Sequence, residues 1–392
     1  MRNKTWKHLF FLSALIAFVS GLGATADPQA TGYRLLKKSV LGGEGFWDYL
    51  TLDGVSRTLY IAHNDRVEIV NVDTAVKGEA ITGLSGVHGV ALAPEYGHGF
   101  ISNGRGDSLT VFDLKTRQKT AEVKTGANPD AVLYDGYSRR VFTFNGRSAD
   151  ATAVDAASAA VCGTIPLGGK PEFAVSDGKG NVFVNIEDTS EIVNFDPRTL
   201  QVLHRWKLAP GEEPSGLALD VANNRLFSIC SNRLLVVLDC KTGAVACTVP
   251  IGNGPDAVKF DPGSGLVFSS NGEGTLTVIH QDAPDKYSVR ETVATARGAR
   301  TMAVDPKTHH VFLVTADFGP APAATPEHPR PRPTVLPGHS RSWSTPSSFQ
   351  IPAAVPGGDP AGSSLFQSIA SRERRCGRAA YALAPISLFR CP

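Results

Sequence analysis

The feature that most constrains this chain is a repeat of about 42 residues. Each unit contains a strand that ends at a landmark residue, and several further short strands and turns follow. The landmarks are Asp53, Ala93, Asp135, Asp177, Asp220, Asp261 and Asp305. Their spacings are 40, 42, 42, 43, 41 and 44 residues. Periods of roughly 40–50 residues with several short strands are typical of β-propeller blades. The repeat therefore predicts an all-β, seven-bladed propeller with four-stranded antiparallel blades.

The third unit shows why the residues favour strands. Pro129–Asp135 forms the predicted inner strand, and Arg140–Phe144 alternates polar and apolar residues as a half-buried strand does. Asn145-Gly146 follows, a pair that favours the positive φ angles of a tight hairpin. Ala151–Asp155 and Val161–Ile165 supply the third and outer strands. The other units repeat this order.

A propeller must close its ring, and the apolar segment Tyr33–Val40 is predicted to do so as the outer strand of the last blade. Closure removes exposed sheet edges. The last blade has candidate inner and second strands at 301–304 and 311–315, but no third strand follows them directly. We therefore expect an incomplete last blade, with the closing strand lacking a neighbour.

The two ends of the chain differ from the repeats. Residues 1–26 combine a basic start, an apolar run and Ala24-Thr25-Ala26 before Asp27, which indicates a cleaved signal peptide and a periplasmic or secreted protein without a membrane anchor. The propeller is expected over 27–319, followed by a proline-rich loop over 320–338. Residues 339–392 contain no Lys and no repeat pattern. They are interpreted as a frameshifted tail, with a naturally disordered extension as the alternative.

Charge argues against a dedicated nucleic-acid binder. Of 39 basic and 37 acidic residues, three basic residues precede residue 27, and six basic and two acidic residues follow Gly338. The body thus keeps 30 basic and 35 acidic residues, without the basic footprint of such binders.

Cys240 and Cys247 flank a turn and are interpreted as thiols, with a disulfide as the alternative. The sequence contains no C-x-x-C motif, so it gives no indication of a thiol redox centre or a c-type haem.

Several motifs resemble a known family. They are Gly-Pro-Asp-Ala-Val at 254–258, Asn-Pro-Asp-Ala-Val at 128–132, Ser-Asn-Gly at 102–104 and 270–272, and Thr-Leu-Thr-Val-Ile at 275–279. Over about residues 33–318 the chain resembles the YncE-like, YVTN-repeat bacterial periplasmic propellers of the cytochrome cd1 and quinoprotein amine dehydrogenase-like class. The resemblance implies an exported seven-bladed propeller. It implies no particular reaction, and some YncE-like members are associated with DNA binding.

Candidate site residues come from two sets of loops. In a propeller, the loops before each inner strand and those between the second and third strands gather on one face around the central channel. The polar and aromatic residues at these positions are Trp47, Asp48, His63, His88, Arg105, Asp130, Arg147, Glu172, Glu187, Asp256, Glu273 and Arg300. Acids, arginines and histidines around a concavity suit a polar small ligand or a peptide.

Three functions fit this face. The first is a non-catalytic, monomeric scaffold that binds a small ligand, a peptide or a protein partner without a cofactor. The second is a metal-dependent hydrolase of lactonase type, with Glu172, Asp130, Asp256 or Glu187 around a divalent cation such as Ca²⁺. The third is single-stranded DNA binding through the arginines and Trp47, which the acidic body disfavours. No nucleophile elbow or H-E-x-x-H motif supports catalysis.

Overall fold

The computed structural model describes residues 32–43, 46–320, 322–323, 325 and the backbone of 385–390. The signal peptide predicted over residues 1–26 lies outside these residues, as does most of the predicted loop and tail beyond residue 325. Within the described part of the chain, no helix has the length and apolar character needed to cross a membrane. The helical structure described there is one short 3₁₀ turn, Pro94–Tyr96.

The described residues form 27 strands. In chain order they are β1 Arg34–Val40, β2 Trp47–Asp53, β3 Thr58–His63, β4 Arg66–Asn71, β5 Val87–Ala93, β6 His98–Asn103, β7 Ser108–Asp113, β8 Lys119–Lys124, β9 Pro129–Asp135, β10 Arg140–Asn145, β11 Asp150–Asp155, β12 Val161–Pro166, β13 Pro171–Ser176, β14 Val182–Ile186, β15 Glu191–Phe195, β16 Val202–Lys207, β17 Pro214–Asp220, β18 Arg225–Cys230, β19 Leu234–Asp239, β20 Val245–Pro250, β21 Pro255–Asp261, β22 Leu266–Asn271, β23 Thr275–Ala283, β24 Lys286–Ala294, β25 Thr301–Asp305, β26 His310–Val314 and β27 Pro385–Arg390.

These strands form antiparallel sheets arranged as a propeller. Six sheets have four strands: β5–β8, β9–β12, β13–β16, β17–β20, β21–β24, and β25-β26-β27-β1. One further sheet, β2-β3-β4, has three strands. The innermost strands β2, β5, β9, β13, β17, β21 and β25 contact one another in a closed ring. The predicted all-β propeller with four-stranded antiparallel blades is confirmed.

The predicted count of seven blades is wrong: the described residues form six four-stranded blades, and the first sheet has only three strands. The missing strand is the outer one of the first sheet, where the segment after β4 forms the isolated bridges Val67–Ile81 and Val70–Lys77 and no continuous strand. Val67 and Val70 are three residues apart, whereas Lys77 and Ile81 are four apart, so one extra residue breaks the ladder. Gly78 lies at this break, and glycine inside a strand commonly marks a bulge.

The expectation of an incomplete last blade is also wrong. β27 pairs with β26 on one side and with β1 on the other, from Arg34–Arg390 to Val40–Pro385. The closing role predicted for Tyr33–Val40 is therefore realised by β1, and its neighbour comes from within the tail beyond residue 338. Sequence reasoning missed this pairing because about 70 residues separate β26 from β27, and local periodicity carries no information over that distance.

Hydrophobic clusters lie between neighbouring sheets. The second strand of every sheet carries a buried aromatic ring near its start, two residues beyond the position that pairs with the end of the inner strand in six sheets and one residue beyond it in β14. These rings are Tyr60, Phe100, Phe142, Phe183, Phe227, Phe268 and Phe312. Phe142 contacts Phe195 of the next sheet edge-on, with ring centroids 5.3 Å apart. Such contacts hold the sheets in the ring and keep the inner strands at fixed positions.

Candidate binding site at the mouth of the central channel

One residue of each inner strand points to a common site. Asp48, His88, Asp130, Glu172, Ser215 and Asp256 are each the second residue of an inner strand, and Arg300 directly precedes β25. Because the inner strands form a ring and these positions are equivalent, the side chains lie around one end of the channel. We call Asp48, His88, Asp130, Glu172, Ser215, Asp256 and Arg300 the rim.

Local backbone irregularity frees the rim residues from the sheets. In β2 the pairing with β3 shifts between Trp47 and Leu50, and in β5 the pairing with β6 shifts between Val87 and Val90. Similar shifts occur near the starts of β9, β13, β17 and β21. A bulge redirects side chains at the edge of a sheet. The first residue of these last four strands is proline, which lacks the N–H that a regular ladder requires.

Buried polar side chains of the second strands hold the freed backbone. Ser102, with no exposed surface, accepts a hydrogen bond from Gly89 N–H at 2.9 Å and donates to the carbonyl oxygen of Asp130 at 2.5 Å. Asn185, equally buried, donates to the carbonyl oxygens of Ser215 and Gly216 at 2.8 and 3.0 Å. The backbone polar groups are thereby satisfied without a regular ladder, and neighbouring inner strands are fixed relative to each other.

Asp48, His88 and Asp130 form the most compact group on the rim. His88 Nδ1 lies 2.7 Å from Asp48 Oδ2 and 3.4 Å from Asp130 Oδ1. Burial lowers the pKa of His88, but the hydrogen bond to Asp48 and the two carboxylate charges outweigh it, so the net pKa is raised. Burial raises the pKa of Asp130 to about 7, opposed by His88 and assisted by the charge of Asp48.

Glu172 and Asp256 have cationic partners. Lys170 Nζ lies 3.4 Å from Glu172 Oε2 and also forms a close ion pair with Glu187. Burial, together with the charge of Asp130, nevertheless raises the pKa of Glu172 well above its usual range. Arg300 Nη1 lies 3.2 Å from Asp256 Oδ1, and this carboxylate raises the pKa of Arg300.

Three side chains missed by the sequence analysis lie deeper in the channel. Tyr49 and Phe173 meet edge-on with centroids 5.1 Å apart, and Lys259 Nζ lies 4.9 Å from the Phe173 centroid. They line a cavity of about 60 Å³. Burial lowers the pKa of Lys259 to about 8. The sequence feature that could have identified Lys259 is a lysine inside an otherwise apolar stretch of an inner strand, Ala-Val-Lys-Phe at 257–260.

The other predicted site residues are less gathered. Trp47 stacks on His63 with ring centroids 3.8 Å apart. His63 is fully buried beside Glu68, so a ligand at the rim cannot contact the His63 side chain. Arg105 donates to Asn64 Oδ1 at 2.8 Å. Arg147 and Glu273 are exposed on loops outside the rim.

Comparisons with known proteins define the class through the fold alone. No protein-family model and no curated protein matches the sequence. A chain from "Crystal Structure of Mitotic Checkpoint Complex" has a TM-score of 0.62 at 13% identity and covers 79% of this chain and 96% of its own. "Kuenenia stuttgartiensis Hydrazine Synthase" gives 0.60 at 14%, covering 71% and 94%. "Structure of U3-55K" gives 0.62 at 10%, covering 73% and 92%. The chain is thus similar to β-propellers, a class defined by architecture rather than by one activity.

Proposed function

We propose that this protein is a non-catalytic β-propeller scaffold that binds a ligand, peptide or partner protein at the rim. The carrying observation is the concentration of charged side chains, most of them only partly exposed, at one end of the channel. Asp130, Glu172 and Asp256 have side chains that are 15–16% exposed. Charged groups in such a position are already largely desolvated and aligned, so a partner that pairs with them pays a reduced desolvation cost.

The charge of the rim suggests what the partner presents. Four rim carboxylates, those of Asp48, Asp130, Glu172 and Asp256, face His88, Arg300 and the neighbouring Lys170. Carboxylates accept hydrogen bonds, and Asp130 has no ion-pair partner among the described residues except His88. A partner that inserts an ammonium or guanidinium group, such as a lysine or arginine side chain, complements this surface best.

A protein partner is consistent with the structural neighbours. One neighbour is a chain of a structure titled as the Mitotic Checkpoint Complex, an assembly of proteins. We further propose that this protein acts after export to the periplasm or outside the cell and is a YncE-like, YVTN-repeat propeller. The signal-peptide pattern of residues 1–26 and the repeat motifs of the sequence support this proposal.

A metal-dependent hydrolase is the second candidate, and one observation favours it. Asp48, His88 and Asp130 each offer a ligand atom, and these atoms lie within 4.8 Å of one another. A cation held there could activate water. Of the ligands expected from the sequence, Asp130 belongs to this group. The other three fit less well, because Glu172 and Glu187 share Lys170, and Asp256 pairs with Arg300.

Selection of peptides on the intact protein tests the scaffold function. Displayed random peptides are enriched on the wild-type protein, and their affinity is measured by calorimetry. The rim variant Asp130→Asn/Glu172→Gln should weaken binding at least about 10-fold, and the enriched peptides should contain Lys or Arg. The control Glu79→Gln/Asp285→Asn removes two exposed acids outside the rim and should leave affinity unchanged. Failure to enrich any peptide, or equal affinity for both variants, would overturn the proposal.

A further inference from the structure

We propose that Asp48, His88 and Asp130 bind a divalent transition-metal cation, through Nδ1 of the histidine and one oxygen of each aspartate. This site goes beyond the proposed function, because it gives the rim a second ligand, a metal ion; while the ion is bound, a partner's cationic group pairs with rim carboxylates other than Asp48 and Asp130. The three side chains come from three consecutive inner strands, β2, β5 and β9. They are the only such group of three or more metal-ligating side chains among the described residues.

The distances match those of a metal site. Metal–nitrogen and metal–oxygen bonds of about 2.0–2.1 Å in a tetrahedral site place neighbouring ligand atoms about 3.4 Å apart. His88 Nδ1 and Asp130 Oδ1 are 3.4 Å apart. His88 Nδ1 and Asp48 Oδ2 are 2.7 Å apart and need to separate by only about 0.7 Å when a metal replaces the proton between them. All three ligand atoms lie within 4.8 Å of one another, so side-chain rotations are enough to bring them to this spacing.

The surroundings aim His88 Nδ1 at the two carboxylates. A Cβ atom added to Gly104 would lie 2.5 Å from His88 Nε2, so the imidazole packs directly against this glycine. That close approach blocks the Nε2 edge and leaves Nδ1 as the available ligand atom. Any larger residue at position 104 would displace the ring. Orientation of a histidine by its surroundings is typical of metal sites.

The backbone of the three strands is fixed by hydrogen bonds independent of the ligands. Thr51 Oγ1 of β2 donates to the carbonyl oxygen of Val90 in β5 at 2.7 Å. Ser102 joins Gly89 of β5 to Asp130 of β9. The ligand positions are thus held before any ion binds, which reduces the entropy cost of binding.

Charge leaves this part of the rim free for a cation. Among the described residues, Asp48 and Asp130 form ion pairs only with His88, while Lys170 and Arg300 pair with other carboxylates. One nitrogen and two carboxylate oxygens favour Zn²⁺, Mn²⁺ or Co²⁺ over Ca²⁺, which prefers oxygen ligands alone. The side chains remain 16–27% exposed, which leaves room for water or a ligand group as a further donor.

The test uses the full chain, freed of metal with a chelator and titrated with Zn²⁺ or Co²⁺ alone. We expect one equivalent to bind, with a Co²⁺ absorption spectrum showing nitrogen and oxygen ligands. His88→Ala and Asp130→Asn should each weaken affinity about 100-fold or more, since even the hydrogen bonds supporting a ligand are worth 10–100-fold. The matched control His204→Ala removes an exposed histidine on β16 and should leave affinity unchanged. Circular dichroism checks folding, and Asp48→Asn replaces any variant that does not fold.

Two results would overturn the metal site: no stoichiometric binding by the wild-type protein, or unchanged affinity in the folded His88 and Asp130 variants. Repeating the peptide titration in excess chelator separates this outcome from the scaffold function. If the peptide still binds in excess chelator and the metal titration shows no binding, only the metal site is refuted. Metal binding without any selected peptide refutes the scaffold alone.

Discussion

At the scale of single residues, four of the landmark aspartates join neighbouring sheets at the end of the propeller opposite the rim: Asp135, Asp220, Asp261 and Asp305. Asp305 accepts a hydrogen bond from Arg57 of the first sheet at 2.7 Å. Asp261 Oδ2 lies 2.6 Å from His309 Nδ1 in the turn that precedes β26 of the next sheet. The same two carboxylates also accept backbone hydrogen bonds from the turns that follow their strands, Asp305 from Lys307 N–H and Asp261 from Gly263 N–H. Each aspartate therefore stabilises both its own turn and the contact with the next sheet.

The Asp305 carboxylate should make the free energy of unfolding depend on pH in the acid range. Burial alone would raise its pKa, but the hydrogen bonds from Arg57 and Thr308 and the charge of Arg57 lower it to about 2. A carboxyl whose pKa is lower in the folded state contributes stability above its unfolded pKa, and loses that contribution as pH falls from about 4 to about 2. Asp305→Asn should therefore cost about 2 kcal/mol of unfolding free energy at pH 7.

Urea unfolding of both proteins between pH 7 and pH 2 measures this effect. The difference between them should shrink as the pH falls through this range, because wild-type Asp305 becomes protonated. Asp73→Asn is the matched control, since Asp73 pairs with the same arginine but is 55% exposed, and its loss should be smaller. A constant difference across the pH range would contradict the prediction.

At the scale of elements, the second strands both fill the core and support the rim. Their apolar residues pack between sheets, while a few buried polar residues reach the inner strand of the next sheet. Ser102 is the clearest case, because its one hydroxyl serves both β5 and β9. Binary patterning predicted the apolar role, but a serine inside a strand carries no sign of its partner on another sheet.

Ser102→Ala should destabilise the protein and loosen the rim. Two backbone groups lose their buried partner, which costs about 1–3 kcal/mol. We expect a lower midpoint in urea and weaker peptide binding, since Asp130 is no longer fixed relative to His88. Ser158→Ala removes an equally small hydroxyl from an exposed turn and serves as the control. Equal midpoints for both variants would exclude the supporting role of Ser102.

At the scale of the whole molecule, ring closure joins the two ends of the described chain. β1 and β27 complete the last blade together with β25 and β26. Removing residues 385–392 should leave β1 and β26 with unpaired edges. We expect the melting temperature to fall by several degrees, because a loss of about 1–2 kcal/mol in unfolding free energy lowers the melting temperature of a large domain by several degrees. Removal of residues 391–392 alone is the control. An unchanged melting temperature for the longer deletion would show that β27 does not hold the ring.

The repeat alone determined the propeller architecture, the inner strands and the place of the rim residues, because alternation and turn chemistry are local and recur with the fold. Only the tertiary structure decided that the incomplete sheet is the first and not the last, that His63 is buried, and that Lys259 lies beneath the rim. It also brought together Asp48, His88 and Asp130, which are about 40 residues apart in sequence. The physical reason is that ladder breaks, burial and side-chain distances depend on neighbouring sheets, and a periodic sequence pattern specifies each sheet without its neighbours.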